Sequence, residues 1–142
     1  MEDRKMEELS KQILDVLTDV YGKSPWTQQQ IAADLAKPEA DYFFVYDGKD
    51  IVGFLSLQHL VGELELTNIA VKKAFQGQGL SKQLMTFLEG LDQPIFLEVR
   101  ASNRIAQNLY ERYGFVTVGK RQDYYHEPLE DAILMKREGS RN

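Results

Sequence analysis

The chain contains 142 residues, of which 43% are hydrophobic and 27% are charged, and its formal net charge is −5. This length and composition predict one soluble globular domain, 1–142, with a single hydrophobic core. The acidic balance argues against nucleic-acid binding, which needs an excess of Lys and Arg, and it is better matched to a basic protein or an amine. Because the sequence has no cysteine and only 2 histidines, disulfides, thiolate metal sites and a cysteine acyl-enzyme are excluded, and a histidine metal site is not expected.

The first part of the chain predicts two helices. The opening Met-Glu-Asp-Arg-Lys is followed by no apolar run, so neither a signal peptide nor a membrane span is predicted, and the expected location is the cytoplasm. Apolar residues at helical spacing from Met6 to Val20 predict an amphipathic helix that ends near Gly22. A second helix is predicted after Thr27, which can form a capping box with Gln30.

Six apolar segments rich in aromatic and β-branched residues predict the strands of a sheet. They cover residues 42–46, 51–57, 63–71, 94–100, 115–118 and 132–135. The Asp47-Gly48 dipeptide between the first two predicts a β-hairpin, and the strand–helix–strand order over 63–100 predicts a right-handed crossover between parallel strands. The last two segments are predicted to form a hairpin with a long connection. The predicted fold class is therefore α/β with a mixed sheet.

A glycine-containing turn separates the strand that ends at Val71 from a helix predicted to run from about Gly79 to about Gly90. Such a turn leaves backbone N–H groups unpaired, and the helix dipole adds about half a positive charge at the same point. The stretch from Ile69 to Lys82 is therefore predicted to bind an anion, usually a phosphate. It lacks the third glycine of a Rossmann fingerprint and the Gly-Lys-Ser or Gly-Lys-Thr of a P-loop.

Two polar residues in apolar surroundings, Glu98 and Tyr110, are candidates for a functional role. Glu98 lies in a predicted central strand, where a carboxylate is costly unless it is paired, hydrated or used; a salt bridge to Arg100 or to a helix residue is the structural alternative. Tyr110 belongs to a helix capped by Asn103 and closed by Gly114, and most tyrosines on such an apolar face are core residues. That face is predicted to contain Ile105, Ala106, Leu109, Tyr110 and Tyr113.

Several of these motifs resemble those of a known enzyme family. Asn68-Ile69-Ala70-Val71 followed by Gln76-x-x-Gly79-x-Ser81 resembles the acyl-CoA-binding motif of the GCN5-related N-acetyltransferases (GNAT), although Ser81 stands where that family prefers Gly or Ala. The segments that look more narrowly like the ribosomal-protein-alanine N-acetyltransferases are 24–26, 97–103, 109–111, 114–115, 124–125 and 130–135.

The resemblance implies a mostly antiparallel mixed sheet flanked by helices, with a parallel strand pair splayed at the cofactor site. It covers roughly Ser24 to Met135. The family usually has a strand before its first helix, whereas this chain starts almost directly with that helix. Whether the first strand, and with it one edge of the sheet, is absent is left open.

By position, the resemblance also implies acetyl-CoA as the co-substrate, no metal, and a set of site residues. The backbone of Ile69, Ala70 and Val71 would hold the acetyl carbonyl and the pantetheine, and Asn103 would contact the cofactor. The pyrophosphate would be held by the backbone amides of Gly77, Gln78, Gly79, Leu80, Ser81 and Lys82. Glu98 would act as general base and Tyr110 as general acid.

The acceptor is predicted to be a protein N-terminus. Deprotonating a lysine at pH 7 costs roughly 4.6 kcal/mol, whereas an α-amine costs about 1.0–1.4 kcal/mol, which a single carboxylate can assist. Our first hypothesis is direct transfer, in a ternary complex, to the N-terminal alanine of a ribosomal protein, with no direct binding to nucleic acid or membrane. The alternatives are a GNAT enzyme acting on a small amine or another protein terminus, and a non-catalytic CoA-binding module. One candidate for receiving the peptide, unless it is only solvated, is an acidic loop around Tyr124-Tyr125 that contains Asp123, Glu127, Glu130 and Asp131.

Overall fold

The structure, a computed structural model, describes residues 2–139. The helices within them are α1 (Glu2–Tyr21), α2 (Gln28–Leu35), α3 (Leu80–Thr86) and α4 (Arg104–Arg112), with a 3-10 turn at Lys73–Phe75. The strands are β1 (Ala40–Asp47), β2 (Asp50–Leu60), β3 (Glu63–Val71), β4 (Ile95–Arg100), β5 (Val116–His126) and β6 (Leu129–Arg137). No helix in this described part of the chain is long and apolar enough to cross a membrane.

The internal contacts of the chain divide it into two compact units. The first unit contains the residues up to His59 together with Asn68–Leu88, and the second contains Leu60–Thr67 together with the residues from Glu89 onward. This division does not test the prediction of a single domain, 1–142, which stays a prediction.

The six strands form one mixed sheet in the order β1-β2-β3-β4-β6-β5. The β1/β2, β4/β6 and β5/β6 pairs are antiparallel, whereas β3 and β4 are parallel. The parallel register joins only Leu64 with Ile95 and Glu65 with Phe96, although both strands continue beyond these residues. A mostly antiparallel mixed sheet with one splayed parallel pair is therefore confirmed.

The first unit has its core between the two N-terminal helices and the β1/β2 hairpin. Ile13 and Leu17 of α1 are fully buried and belong to one apolar cluster with Ile31 of α2. The predicted capping box is present, because the Gln30 backbone N–H donates to Thr27 Oγ1 (3.1 Å) and the Thr27 backbone N–H donates to Gln30 Oε1 (2.9 Å). These local contacts fix where α2 begins.

In the second unit, β4 separates a buried face from a half-exposed one. Ile95, Leu97 and Val99 are buried, whereas Phe96, Glu98 and Arg100 alternate with them and are only half-buried. Because successive side chains of a strand point to opposite faces, the functional candidate Glu98 shares one solvent-accessible face with Phe96 and Arg100.

Three predicted boundaries are wrong: the end of α3, the end of β5 and the start of β6. Helix α3 ends at Thr86 rather than near Gly90, because the backbone N–H groups of Phe87 and Leu88 donate to carbonyls three residues back and tighten the chain into turns. The C-terminal hairpin has longer strands and a shorter connection than predicted, since β5 continues to His126 and β6 begins at Leu129. Most of the polar residues that were assigned to a long connection lie in these two strands. Few apolar residues alternate with them, so the sequence did not show the usual pattern of a strand here.

The predicted apolar face of α4 is wrong in one position. Ile105 is 86% exposed, whereas Gln107 is buried and its side-chain Nε2 donates to the backbone carbonyls of Arg100 (3.1 Å) and Ala101 (3.0 Å). The polar side chain is buried because these carbonyls satisfy its donors. The Asn103 cap and the left-handed Gly114 that closes the helix are both present.

We expect Gly53→Ala to destabilise the protein by about 1–3 kcal/mol through overpacking. A Cβ at this position of β2 would lie 2.8 Å from Val45 Cγ2 and 3.0 Å from the backbone carbonyl oxygen of Ala70. Urea unfolding measures the change, with Gly119→Ala as the matched control. The nearest atom to a Cβ at Gly119 is 3.4 Å away, so the control should stay within about 1 kcal/mol of wild type. Equal losses of unfolding free energy for the two variants would contradict the close approach of Val45 and Ala70 to Gly53.

Candidate active site

The glycine-containing turn of the first unit lies at the surface, where Gly77, Gln78 and Gly79 are exposed. Gly77 and Gly79 have φ angles of 81° and 82°, a conformation that side-chain-bearing residues rarely adopt. Nothing lies within 4 Å of a Cβ built on either residue, so the space beside the turn is open to a ligand. The first helical hydrogen bond of α3 runs from Gln83 N to Gly79 O (3.0 Å). The amides of Leu80 and Ser81 therefore have no acceptor inside the helix.

Three hydrogen bonds fix this turn to other parts of the first unit. The backbone N–H of Lys72 donates to the Val52 carbonyl (2.8 Å), the backbone N–H of Lys73 donates to Asp19 Oδ2 (2.7 Å), and Gln76 Nε2 donates to the Val71 carbonyl (2.9 Å). The turn is thus held to β2, to α1 and to the end of β3.

The predicted cofactor residues of β3 lie at the start of this turn. Ala70 and Val71 are buried, and Ile69 is half-buried. The structure brings these three residues together with Gly77–Lys82 in the first unit, while Asn103 belongs to the second unit. An exposed glycine turn that follows a buried strand and leads into a helix can bind a phosphate group through its backbone amides.

Glu98 of the second unit is ion-paired, but not to the residues proposed as its structural alternative. Its Oε2 accepts from Arg121 Nη1 of β5 at 2.8 Å, and its side chain is 22% exposed. Arg100 instead pairs with Glu130 (3.2 Å), and its guanidinium lies 4.3 Å from the centre of the Tyr125 ring. The partner of Glu98 therefore comes from β5, beyond the neighbouring strand β6.

The charge of Glu98 influences three neighbouring titratable groups. Its hydrogen bond and its charge raise the pKa of Arg121. Its charge, followed by partial burial and a hydrogen bond to Glu98, raises the pKa of the Tyr124 hydroxyl. Burial raises the pKa of Glu65, and the charges of Glu98 and Glu63 add to the effect. The charge of Glu98 thus acts on titratable groups of both β5 and β3 in the second unit.

Tyr110 and Asn103 occupy α4. Tyr110 is 6% exposed, and its ring centre lies 5.8 Å from that of Phe115, so much of its side chain serves packing. Asn103 accepts a hydrogen bond from the Ala106 backbone N–H through Oδ1 (3.1 Å), which is its predicted capping role. The catalytic role of Tyr110 and the cofactor role of Asn103 stay predictions.

The predicted acidic loop is instead the end of the β5/β6 hairpin, and half of its carboxylates are engaged. Glu130 accepts from the Ser102 backbone N–H (3.0 Å) and pairs with Arg100. Asp131 accepts from the Asp123 backbone N–H (2.8 Å). These contacts hold the hairpin to the end of β4 and reduce the negative charge available to a basic peptide.

Sequence reasoning missed Arg121 and Glu65. Glu65 was hidden because it follows Leu64 in an ordinary alternating strand, and only the parallel register with Phe96 brings it next to the face of Glu98. The sequence did not indicate Arg121, because its contact with Glu98 depends on the order of the strands in the sheet, in which β4 and β5 lie on either side of β6. Neither residue carries a local signal.

We expect Glu130→Gln to lower stability at neutral pH and to lose this effect in acid. The hydrogen bond from the Ser102 side chain, with Arg100 adding to it, holds the pKa of Glu130 below its ordinary value of 4.5. Since the folded pKa is the lower one, the stabilisation is present above the unfolded pKa and is lost as pH falls through the folded pKa. Urea unfolding at about pH 7 and about pH 3 measures the difference.

Glu127→Gln is the matched control for this prediction, because Glu127 is exposed on the same hairpin. Its effect should be small at both pH values. Equal losses for the two variants, or a loss for Glu130→Gln that persists in acid, would contradict the interpretation.

Comparison with known proteins supplies the family. A sequence profile of the Acetyltransferase (GNAT) family matches residues 7–115. A [ribosomal protein bS18]-alanine N-acetyltransferase of Escherichia coli (strain K12) is 35% identical over 118 residues, covering 78% of this chain and 79% of that protein. The N-alpha-acetyltransferase RimI of Mycobacterium tuberculosis is 32% identical over 123 residues, covering 82% and 78%.

A solved structure agrees with the sequence relatives. The crystal structure of the ribosomal-protein-S18-alanine N-acetyltransferase from Escherichia coli superposes with a TM-score of 0.84 at 29% identity, covering 94% of this chain and 89% of that one. The resemblance drawn from the motifs is confirmed. The chain belongs to the acetyltransferase (GNAT) family and is an N-acetyltransferase.

Proposed function

We propose that the protein transfers the acetyl group of acetyl-CoA to the N-terminal α-amine of a protein, and that its acceptor is the N-terminal alanine of a ribosomal protein. The observation that carries this proposal is a half-buried carboxylate, Glu98, on an accessible strand face. It is supported by the similarity of the chain to an alanine N-acetyltransferase over more than three quarters of its length. Transfer is direct, because the chain has no cysteine to form an acyl-enzyme.

The first unit supplies the groups for the cofactor. The backbone amides from Gly77 to Lys82 bind the pyrophosphate, and the backbone of Ile69, Ala70 and Val71 binds the pantetheine and the acetyl carbonyl. The open space beside Gly77 and Gly79 supports close approach of a phosphate to the backbone. Asn103 adds a contact to the cofactor, and the cofactor supplies the thioester.

The second unit supplies the acid–base groups. The amine nitrogen forms a bond to the acetyl carbonyl carbon, the C–S bond breaks, and the sulfur leaves as a thiolate. Glu98 takes the proton of the amine, directly or through water, and Tyr110 gives a proton to the thiolate. An α-amine is the suitable acceptor for one carboxylate, because its deprotonation at pH 7 costs only about 1.0–1.4 kcal/mol.

The proposed acceptor also sets the proposed location. Ribosomal proteins are synthesised in the cytoplasm, so we place the reaction there. The net charge of −5 supports a basic protein partner and disfavours direct contact with nucleic acid.

We expect Glu98→Gln to lower kcat/KM for an Ala-initiated ribosomal peptide by about 10²- to 10⁴-fold, because the variant cannot accept the proton. Tyr110→Phe should lower it by a similar factor for want of the proton donor. Acetylation is measured by CoA release with a thiol reagent. Glu39→Gln is the control, because Glu39 is exposed in the first unit. Full activity in both Glu98→Gln and Tyr110→Phe would refute the proposed mechanism.

We expect Gly79→Ala to weaken acetyl-CoA binding by at least about tenfold, because an L side chain resists the left-handed backbone that presents the amides. Gly22→Ala is a matched control: Gly22 has φ 76° and nothing within 4 Å of its Cβ, but it lies outside the turn. Both variants should lose similar stability. Isothermal titration with acetyl-CoA separates them, and equal affinity for the two variants would mean that the turn does not bind the cofactor.

A further inference from the structure

Arg121 engages the proposed base in a specific way. Its Nη1 donates to Oε2 of Glu98 at 2.8 Å, while Glu98 remains 22% exposed at its side chain. The guanidinium therefore neutralises the carboxylate without enclosing it, and an incoming amine can still reach Glu98 from solvent.

Two features of the hairpin hold Arg121 in this position. Arg121 is paired in register with Ala132 of β6, and this small, fully buried residue leaves room for a side chain that crosses β6 toward β4. The guanidinium carbon also lies 4.7 Å from the centre of the Tyr124 ring, within range of a cation–π contact. The Arg121 side chain, which is 55% exposed, thus has two contacts from its position on β5: the Glu98 carboxylate and the Tyr124 ring.

The other cations of this face have partners of their own. Arg100, on the same face of β4, pairs with Glu130 (3.2 Å). Tyr124 of β5 and Glu65 of β3 are the remaining titratable groups that the charge of Glu98 perturbs. Lys136 of β6 lies over the Phe96 ring at 5.4 Å and pairs with Glu138 (2.9 Å). Within the described residues, Arg121 is therefore the cation that balances the negative charge of this face at Glu98.

We propose that Arg121 is a specificity-determining residue that confines acetyl transfer to α-amines and discriminates against lysine ε-amines. This inference rests on the proposed function, in which Glu98 is the base. By pairing with Glu98 at 2.8 Å, Arg121 removes the unbalanced negative charge that would attract an ammonium group.

The discrimination follows from the protonation of the two amine classes. At pH 7 roughly a tenth of an α-amine is neutral, but only about one lysine side chain in two thousand is. A lysine therefore needs both an anionic site that binds its ammonium and a strong base that removes its proton. An α-amine needs less of either, so a carboxylate neutralised by a guanidinium still serves it.

The test compares two peptides of the same sequence in wild type and variants. One peptide has a free N-terminal alanine and no lysine; the other is N-acetylated and has one internal lysine. We expect Arg121→Gln to lower the ratio of kcat/KM for the α-amine peptide to that for the lysine peptide by about fivefold or more, with part of the change in the KM for the lysine peptide. Arg121→Lys keeps the charge but loses the planar guanidinium that lies over the Tyr124 ring, so its ratio should fall between those of wild type and Arg121→Gln.

Lys120→Gln is the matched control for loss of one positive charge. Lys120 precedes Arg121 on β5, is exposed, and lies 3.8 Å from Asp131 rather than near Glu98. In Lys120→Gln, the ratio of kcat/KM for the α-amine peptide to that for the lysine peptide should remain within about twofold of wild type, since exposed and more distant charges are screened.

The state of the ion pair is measured without activity through Tyr124. The charge of Glu98 is the main cause that raises the pKa of Tyr124, and Arg121 acts in the opposite direction. Arg121→Gln should therefore raise the phenol pKa further and Glu98→Gln should lower it. Ultraviolet titration of each protein against its Tyr124→Phe derivative isolates this group.

An unchanged peptide ratio in Arg121→Gln, when the Tyr124 titration has shifted, would overturn the proposal. An equal fall in Lys120→Gln would also overturn it, because the effect would then be one of net charge. If urea unfolding showed that Arg121→Gln does not fold, the peptide ratio and the Tyr124 titration of Arg121→Lys would test the proposal instead. Failure of the proposed function itself is recognised separately, because the wild type would then not acetylate the alanine peptide.

Discussion

A half-buried carboxylate on a central strand needs a counter-charge, and the ion pair of Glu98 with Arg121 provides it. An unpaired carboxylate would be costly at this position, while removing one partner of such a pair leaves the other uncompensated. The pair requires β5 to extend as far as Arg121 and to run beside β6 at Ala132. The length and register of the C-terminal hairpin are therefore tied to the chemistry of one side chain on β4.

The first unit solves a different problem, which is to expose backbone donors without unfolding the chain around them. Two glycines in the left-handed region turn the chain, and hydrogen bonds to Asp19, Val52 and Val71 hold the flanking residues. The buried end of β3 gives the turn a rigid base, because Gly53 lets β1, β2 and β3 approach closely at Val45 and Ala70. Rigid support for exposed amides is what preorganised anion binding requires.

Local sequence signals predicted the elements well, and the failures are non-local. The capping box of Thr27 with Gln30, the Asp47-Gly48 hairpin and the Asn103 cap each involve residues within three or four positions, so spacing alone determines them. The partner of Glu98 depends on sheet order and register, which the sequence does not display. Ile105 was assigned to a buried face because it is apolar, but the buried position is taken by Gln107, whose acceptors are backbone carbonyls. The roles proposed for Glu98 and Tyr110 follow from the motif resemblance and from the chemistry of acetyl transfer to an amine.

The central claim is that this acetyltransferase modifies the α-amine of a ribosomal protein that begins with alanine. The most direct measurement incubates wild-type protein with acetyl-CoA and an Ala-initiated ribosomal peptide that also contains a lysine, and locates the modification by tandem mass spectrometry. We expect one acetyl group, on the N-terminal nitrogen. Acetylation of the lysine alone, or acetylation of free polyamines with none on the peptide, would contradict it.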